Sequence, residues 1–245
     1  MRSRSERIGE AFAQQAAAYE EQAWLQPRVA ERLLADLPDQ GPRRILEIGC
    51  GTGFLSRLLA QRYPEAELTL TDISGGMLER CQEQMPASDR IRYQQLDVAH
   101  WKPKRAYDLI VSTMVMQWLD EPIQALIALQ QSLHPGGQLF YSRLAPDAFP
   151  EWRQGLKQLG LPSGLLDRDG APGLYRTEDI LHSYPSSLAF LQELKHLGTH
   201  SPRPGYPGLS AGELRRACRE TDRISGGNIT WRIQYGRLSA YVCDL

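Results

Sequence analysis

The sequence predicts an α/β protein built on a doubly wound, mostly parallel sheet of the Rossmann-like kind. Three observations carry that prediction. The apolar run Ile45-Leu46-Glu47-Ile48 stops at three glycines spaced G-x-G-x-G (Gly49, Gly51, Gly53), and helical periodicity begins at Phe54. A second short apolar run closes on an acid, Asp72, about 20 residues beyond the glycines. Short β-type runs then alternate with helical stretches as far as residue 142, which is the rhythm of βαβ crossovers.

Length and composition bound the rest. A chain of 245 residues with 42% hydrophobic and 23% charged residues fits one large domain carrying an insertion. A net charge of −1 gives no global attraction to nucleic acid or to membranes, so an acidic partner must meet a local basic patch. The cysteines (Cys50, Cys81, Cys218, Cys243) are scattered, with no C-x-x-C and no histidine at metal-ligand spacing. That pattern points to reduced thiols and to no metal site. There is no signal-peptide core and no apolar run of bilayer length, so a cytoplasmic protein is expected. Nothing in the sequence signals an oligomeric state.

Taken in order, residues 1–40 read as helices covering the sheet. Ser3 and Glu6 match a capping box, and Ile8, Phe12, Ala16 and Tyr19 share one helical face. Tyr19 has two readings, a core residue of that face or a residue at the mouth of a site. A second helix follows Pro27 and stops before Pro38. The core, residues 41–143, starts at the glycine turn. The strand 68–71 ends in Asp72, and Ser74 opens a helix in which Met77 either lies over the site or packs in the core. The strand 91–96 leads to Asp97, which either meets an exocyclic amine or is a solvated loop acid. A nearly continuous apolar strand, 107–112, precedes the loop 113–119, and that loop should line the crevice beyond the strand ends. A helix from Pro122, a turn at 134–137 and a fifth strand, 138–142, complete the core.

Beyond Arg143 the pattern loosens. Four prolines interrupt residues 143–175, with one short amphipathic helix near 151–159, as expected for a small cap insertion after the fifth strand. Thr177-Glu178-Asp179 reads as the cap of a short helix, and Ser186 or Ser187 as the cap of a longer one. The cap region runs to residue 207. Residues 208–245 supply a basic helix, 210–223, and one or two closing strands between Ile229 and Val242.

Two ligands compete for the glycine turn. A dinucleotide site would place glycine or alanine at the sixth position of the motif, where this chain has Phe54. Glu47, just ahead of the glycines, suits an amino-acid ammonium instead. Ammonium at Glu47, ribose at Asp72 and adenine near Asp97 together describe S-adenosylmethionine.

The stretches 47–53, Asp72-Ile73-Ser74, Leu96-Asp97-Val98 and 133–137 resemble the motif set of class I S-adenosylmethionine-dependent methyltransferases, over roughly residues 40–143. The resemblance implies a seven-stranded sheet, mostly parallel, with an antiparallel strand at its edge. It also implies a cofactor site drawn from Gly49, Cys50, Gly51, Ile73, Val98 and Thr113, in addition to the acids and Met77. Across most of the chain the sequence further resembles the malonyl-[acyl-carrier-protein] O-methyltransferases of biotin synthesis. The features are Phe12 and Tyr19, Leu25-Gln26, Val115-Met116-Gln117-Trp118, Ala148-Phe149-Pro150-Glu151 and residues 194–200. That likeness adds Gln26 to the cofactor site. It implies methylation of the free carboxylate of a malonyl thioester, on acyl carrier protein or on coenzyme A. One departure stands out: residues 181–187, with Pro185, leave no room for the β-strand that relatives carry there, so the sixth strand is expected to be missing or supplied by another segment.

An ionised carboxylate needs no general base to accept a methyl group, so positioning and exclusion of water should dominate. The candidates for holding it are Tyr19, Gln117, Trp118 and Arg143. Arg143 has a second reading, a surface residue paired with Asp147. Arg215, Arg216, Arg219 and Arg223 recur at helical spacing, either as a landing face for an acidic carrier or as a solvated face shared with Glu213 and Glu220. The alternatives on the same scaffold are another small-molecule methyltransferase and a non-catalytic methyltransferase-like partner protein.

Overall fold

The computed structural model describes residues 7–10, 12–13, 23–86, 88–103, 106–165, 170–196 and 206–241. Residues 7–10 and 12–13 are helical; Ser3, Glu6, Ala16 and Tyr19 lie outside the described residues. The elements are α1 (Leu25–Asp36), β1 (Arg44–Ile48), α2 (Phe54–Arg62), β2 (Glu67–Asp72), α3 (Gly75–Gln84), β3 (Ile91–Gln95), β4 (Tyr107–Thr113), α4 (Pro122–Gln130), β5 (Leu133–Leu144), α5 (Pro150–Gln158), β6 (Leu174–Ser183), α6 (Ser187–His196), α7 (Ala211–Ser225) and β7 (Asn228–Ser239). The seven strands form one sheet in the order β3-β2-β1-β4-β5-β7-β6.

The chain forms two compact units, one of residues 1–143, 171–176 and 235–245, the other of 144–170 and 177–234. In the first unit β1 pairs parallel with both β2 and β4, so the strand order reverses between β1 and β4. In open α/β sheets that reversal opens a crevice at the strand carboxyl ends. Ile45, Leu46, Leu109, Ile110 and Val111 are wholly buried. Each such side chain contributes about 1.5–3 kcal/mol of burial. Leu46, Ile48, Val98, Ile110, Met116, Leu129 and Tyr141 belong to one apolar cluster. The far ends of α1 and α2 are tied by the Arg62 guanidinium, which donates to the carbonyls of Leu34 and Leu37 and to Asp39, and by the Tyr63 hydroxyl on the Pro38 carbonyl. The turn expected at 134–137 is a bulge inside β5, between the pairs Tyr107/Leu133 and Leu109/Gln138.

β7 runs antiparallel to β5. The amide of Ala240 bonds the Gly137 carbonyl and that of Ala145 the Arg232 carbonyl, so the partner number falls by eight as the chain advances by eight. It is the single strand formed by the closing segment.

In the second unit, Phe149, Phe190, Tyr184 and Trp231 pack ring against ring, Phe149 meeting Trp231 edge to face with centroids 4.8 Å apart. Phe149 adopts φ 60°, a left-handed conformation costing about 1–2 kcal/mol for a residue with a Cβ. Its near-complete burial offsets that cost, and Glu151 fixes the turn by accepting from the amide and hydroxyl of Thr230. Helices α5 and α7 meet at Gly155, where a Cβ would stand 2.5 Å from Thr221 Oγ1. The capping box at Ser210 and Glu213 starts α7, and Ser186 caps α6 by accepting from the Ala189 amide.

One expectation is corrected here. Thr177-Glu178-Asp179 caps no helix; it lies within β6. Of the two readings of the sixth strand, missing or supplied by another segment, the second is found: the strand is Leu174–Ser183, which starts well before residues 181–187 and stops ahead of Pro185. Only Ile180 of that edge strand is fully buried, so the alternation that would mark a strand is nearly absent from its sequence. Asp179 is instead gripped by the Arg232 guanidinium, at 2.7 and 2.8 Å, and that partner holds its carboxyl below the usual range.

Candidate functional site

The site elements all lie in the first unit, at the carboxyl ends of β1, β2 and β4. Glu47 is 1% exposed. Its Oε2 accepts from Ser56 Oγ at 2.6 Å, while its Oε1 is buried with no partner. Burial drives its pKa up to about 8, against the opposing hydrogen bond from Ser56. A carboxyl held this way is poised to ionise when a cation arrives beside it.

The turn follows directly. Gly49 has φ 69°, and a Cβ there would stand 2.2 Å from Val115 Cγ2, so only glycine lets the loop after β4 lie on the turn. Cys50 is buried, its amide bonded to the Thr71 carbonyl at 2.9 Å. Asp72, 8% exposed, accepts from the Gly51 amide through Oδ2 (3.0 Å) and from the Ser74 amide through Oδ1 (2.8 Å). The carboxylate is thus aimed by backbone donors from both sides and retains free lone pairs for hydroxyls. Burial raises its pKa, and the two amide bonds work against that rise.

Among the other expected positions, the Ile73 carbonyl accepts from Gln95 Nε2 at 2.9 Å. Met77 is 2% exposed in α3, whose first turn Ser74 caps. Asp97 caps a short 3-10 turn at Val98–His100, accepting from the Ala99 amide and lying 3.1 Å from His100 Nδ1. Val98 is buried in the apolar cluster, and Thr113 ends β4 half-buried. Gln26 sits in the first turn of α1 with its Oε1 buried and without a partner.

The loop after β4 holds a feature that spacing does not reveal. Met114 has φ 56°, a strained conformation for a side-chain-bearing residue. Its amide is bonded by the carbonyl and hydroxyl of Ser142 on β5, at 3.0 and 3.2 Å. Its carbonyl accepts from Gln117 Nε2 at 2.7 Å and from Trp118 Nε1 at 3.1 Å. One N–H of Gln117 and the indole N–H of Trp118 thus serve the loop, and the Trp118 ring stands edge-on to Phe12 at 5.3 Å. Ser56 and Ser142, which hold Glu47 and Met114, went unseen in the sequence because their partners are distant in the chain.

Arg143, at the end of β5, is 4% exposed. The surface pairing with Asp147 does not occur; Asp147 is bonded by Arg232. Tyr19 lies outside the described residues.

A methyltransferase-domain family model matches residues 46–139. The malonyl-[acyl-carrier protein] O-methyltransferase of Magnetococcus marinus is 33% identical over 96% of this chain and 92% of its own length. The chain belongs to the malonyl-[acyl-carrier protein] O-methyltransferase family. The biotin biosynthesis bifunctional protein BioCD of Bordetella avium is 37% identical over 94% of the chain, which spans about half of that longer protein (51%). The N-methyltransferase NodS of Bradyrhizobium japonicum, solved with S-adenosyl-L-homocysteine, matches at a TM-score of 0.54 over 94% of this chain and 96% of its own, at 16% identity, which establishes the shared fold. No described helix of this family member is long and apolar enough to cross a membrane.

Proposed function

We propose that the protein methylates the free carboxylate of a malonyl thioester, with S-adenosylmethionine as donor and acyl carrier protein as carrier, in the synthesis of biotin. The observation that carries the reading is the pairing of this family match with a partnerless, buried carboxyl oxygen on Glu47 beside the Gly49 turn. S-adenosylmethionine supplies a methyl group on a sulfonium, which departs as a neutral thioether.

The residues present fit that donor. Glu47 offers an anion to an ammonium, Asp72 offers oriented oxygens to two ribose hydroxyls, and the glycine turn with the first amides of α2 allows close backbone approach. Asp97, at the end of β3, is available to the adenine amine, with Ile73 and Val98 beside it.

The acceptor is already an anion, so the chain has to orient it and exclude water. Arg143 is the cation suited to it: a guanidinium buried at a strand end gives a carboxylate two parallel donors. Tyr19 is the second candidate. Trp118, its N–H committed to Met114, contributes an apolar wall. An acidic carrier would meet Arg215, Arg216 and Arg219, all exposed on one face of α7; Arg223 is engaged by Glu220. Labelled methyl transfer to malonyl-acyl carrier protein, with malonyl-CoA and free malonate alongside, tests the reading. Transfer to the carrier-bound acceptor is expected, and its absence with cofactor bound would overturn it.

A further inference from the structure

Gln117 has been treated so far as a candidate for the acceptor carboxylate. Its hydrogen bonds argue otherwise. The side-chain amide is fixed in orientation, because Nε2 donates to the Met114 carbonyl at 2.7 Å and only the nitrogen end can do so. That carbonyl is in turn held in place by the strained Met114 backbone, by the two bonds its amide makes to Ser142 and by the bond from Trp118. The remaining end, Oε1, is buried and has no partner. A buried amide oxygen left without a donor costs about 1–3 kcal/mol, so its proper complement is a group bearing N–H or O–H. A malonyl carboxylate has none to give.

The placement of that oxygen narrows the donor. Val115, two residues away, lies directly on Gly49, and Glu47 with its own partnerless oxygen is two residues before Gly49. The two segments that meet at this glycine turn thus each carry an acceptor oxygen without a partner, one on a carboxyl and one on an amide. A primary ammonium, with three N–H donors and a positive charge, complements such a pair, and an adenine or ribose does not need it.

We propose that Gln117 is a cofactor-binding residue that accepts, together with Glu47, from the ammonium of the amino-acid end of S-adenosylmethionine. Met114 and Ser142 act as positioning residues that aim it. The inference rests on the reading that the site binds S-adenosylmethionine. It also moves Gln117 out of the set of candidates for the acceptor, which leaves Arg143, Tyr19 and Trp118.

Calorimetric titration separates the roles. S-adenosylhomocysteine carries the ammonium; 5′-methylthioadenosine shares the nucleoside and thioether but lacks the amino-acid end. Gln117→Leu should weaken S-adenosylhomocysteine by about thirtyfold, the loss of one hydrogen bond to a charged group, and leave 5′-methylthioadenosine within about twofold. Gln117→Met, which keeps the unbranched length but has no acceptor oxygen, should give the same split. Unchanged S-adenosylhomocysteine affinity with a raised KM for the malonyl acceptor would return Gln117 to the acceptor pocket and overturn the inference. Equal loss of both ligands in both variants would overturn it too, by making Gln117 a support of the loop alone. Failure of the unaltered protein to bind S-adenosylhomocysteine would remove the broader reading, an outcome distinct from either.

Discussion

The proposed pairing of Glu47 with the cofactor ammonium makes binding a proton-linked event. Burial drives its pKa up to about 8, so at pH 7 the free protein carries it mostly neutral. An ammonium placed against Oε1 favours the carboxylate, and binding must then expel the proton. The expected release at pH 7 is about 0.9 of a proton per ligand bound. Because only the ionised form binds well, the apparent Kd should tighten about fiftyfold from pH 6 to pH 8 and level off above that. Titration of S-adenosylhomocysteine in phosphate and in Tris, whose ionisation enthalpies differ, measures the proton count directly. Glu47→Gln should abolish both the release and the pH dependence. The same shift bears on stability, with a definite sign. The unfolded chain loses this proton near the ordinary glutamate value of 4.5 and the folded one near 8, so the group's contribution to stability declines as pH rises between those values. Ligand-free Glu47→Gln should therefore melt higher than the parent at pH 8. A flat Kd between pH 6 and pH 8, with no buffer-dependent heat, would refute the reasoning by showing that Glu47 is already ionised or does not face the ligand.

Other expectations test separate parts of the molecule. Asp72→Ala removes the acceptor for the Gly51 and Ser74 amides as well as for ribose, and should weaken S-adenosylhomocysteine and 5′-methylthioadenosine alike, by about a hundredfold or more. Arg143→Ala and Tyr19→Phe should lower kcat/KM for the malonyl acceptor and spare calorimetric cofactor affinity; values within about threefold of the parent would show that the acceptor pocket lies elsewhere. Methylation of the carrier-bound substrate should fall steeply with added salt and with Arg215→Glu or Arg219→Glu, and insensitivity to both would reduce that face to a solvated one. Gly155→Ala should destabilise the second unit by about 1–3 kcal/mol, read as a lowered denaturation midpoint, because its Cβ would meet Thr221 Oγ1 at 2.5 Å.

The contrast between β1 and β6 shows which elements declare themselves in a sequence. β1 is buried on both faces and ends at a turn whose backbone demands glycine, so hydrophobic run and punctuation agree. β6 lies at the sheet edge, and the polar residues on its exposed positions imitate a helix cap. Arg143 fails to declare itself for a related reason, since a lone arginine after a strand looks the same whether it ends buried or paired at the surface.

The sequence by itself determined the doubly wound order, the glycine turn, the acids at Glu47 and Asp72, and the family, because each rests on local periodicity or on residues close in the chain. Tertiary structure alone decided the chemistry those residues can express. Glu47 is shifted because β1 is buried, and its free oxygen exists because Ser56 takes the other. The Gln117 amide oxygen is left without a partner because Met114, held by Ser142 from another strand, draws the nitrogen end toward its carbonyl. Orientation and desolvation of a polar group are properties of its neighbours in space, and no spacing along the chain encodes them.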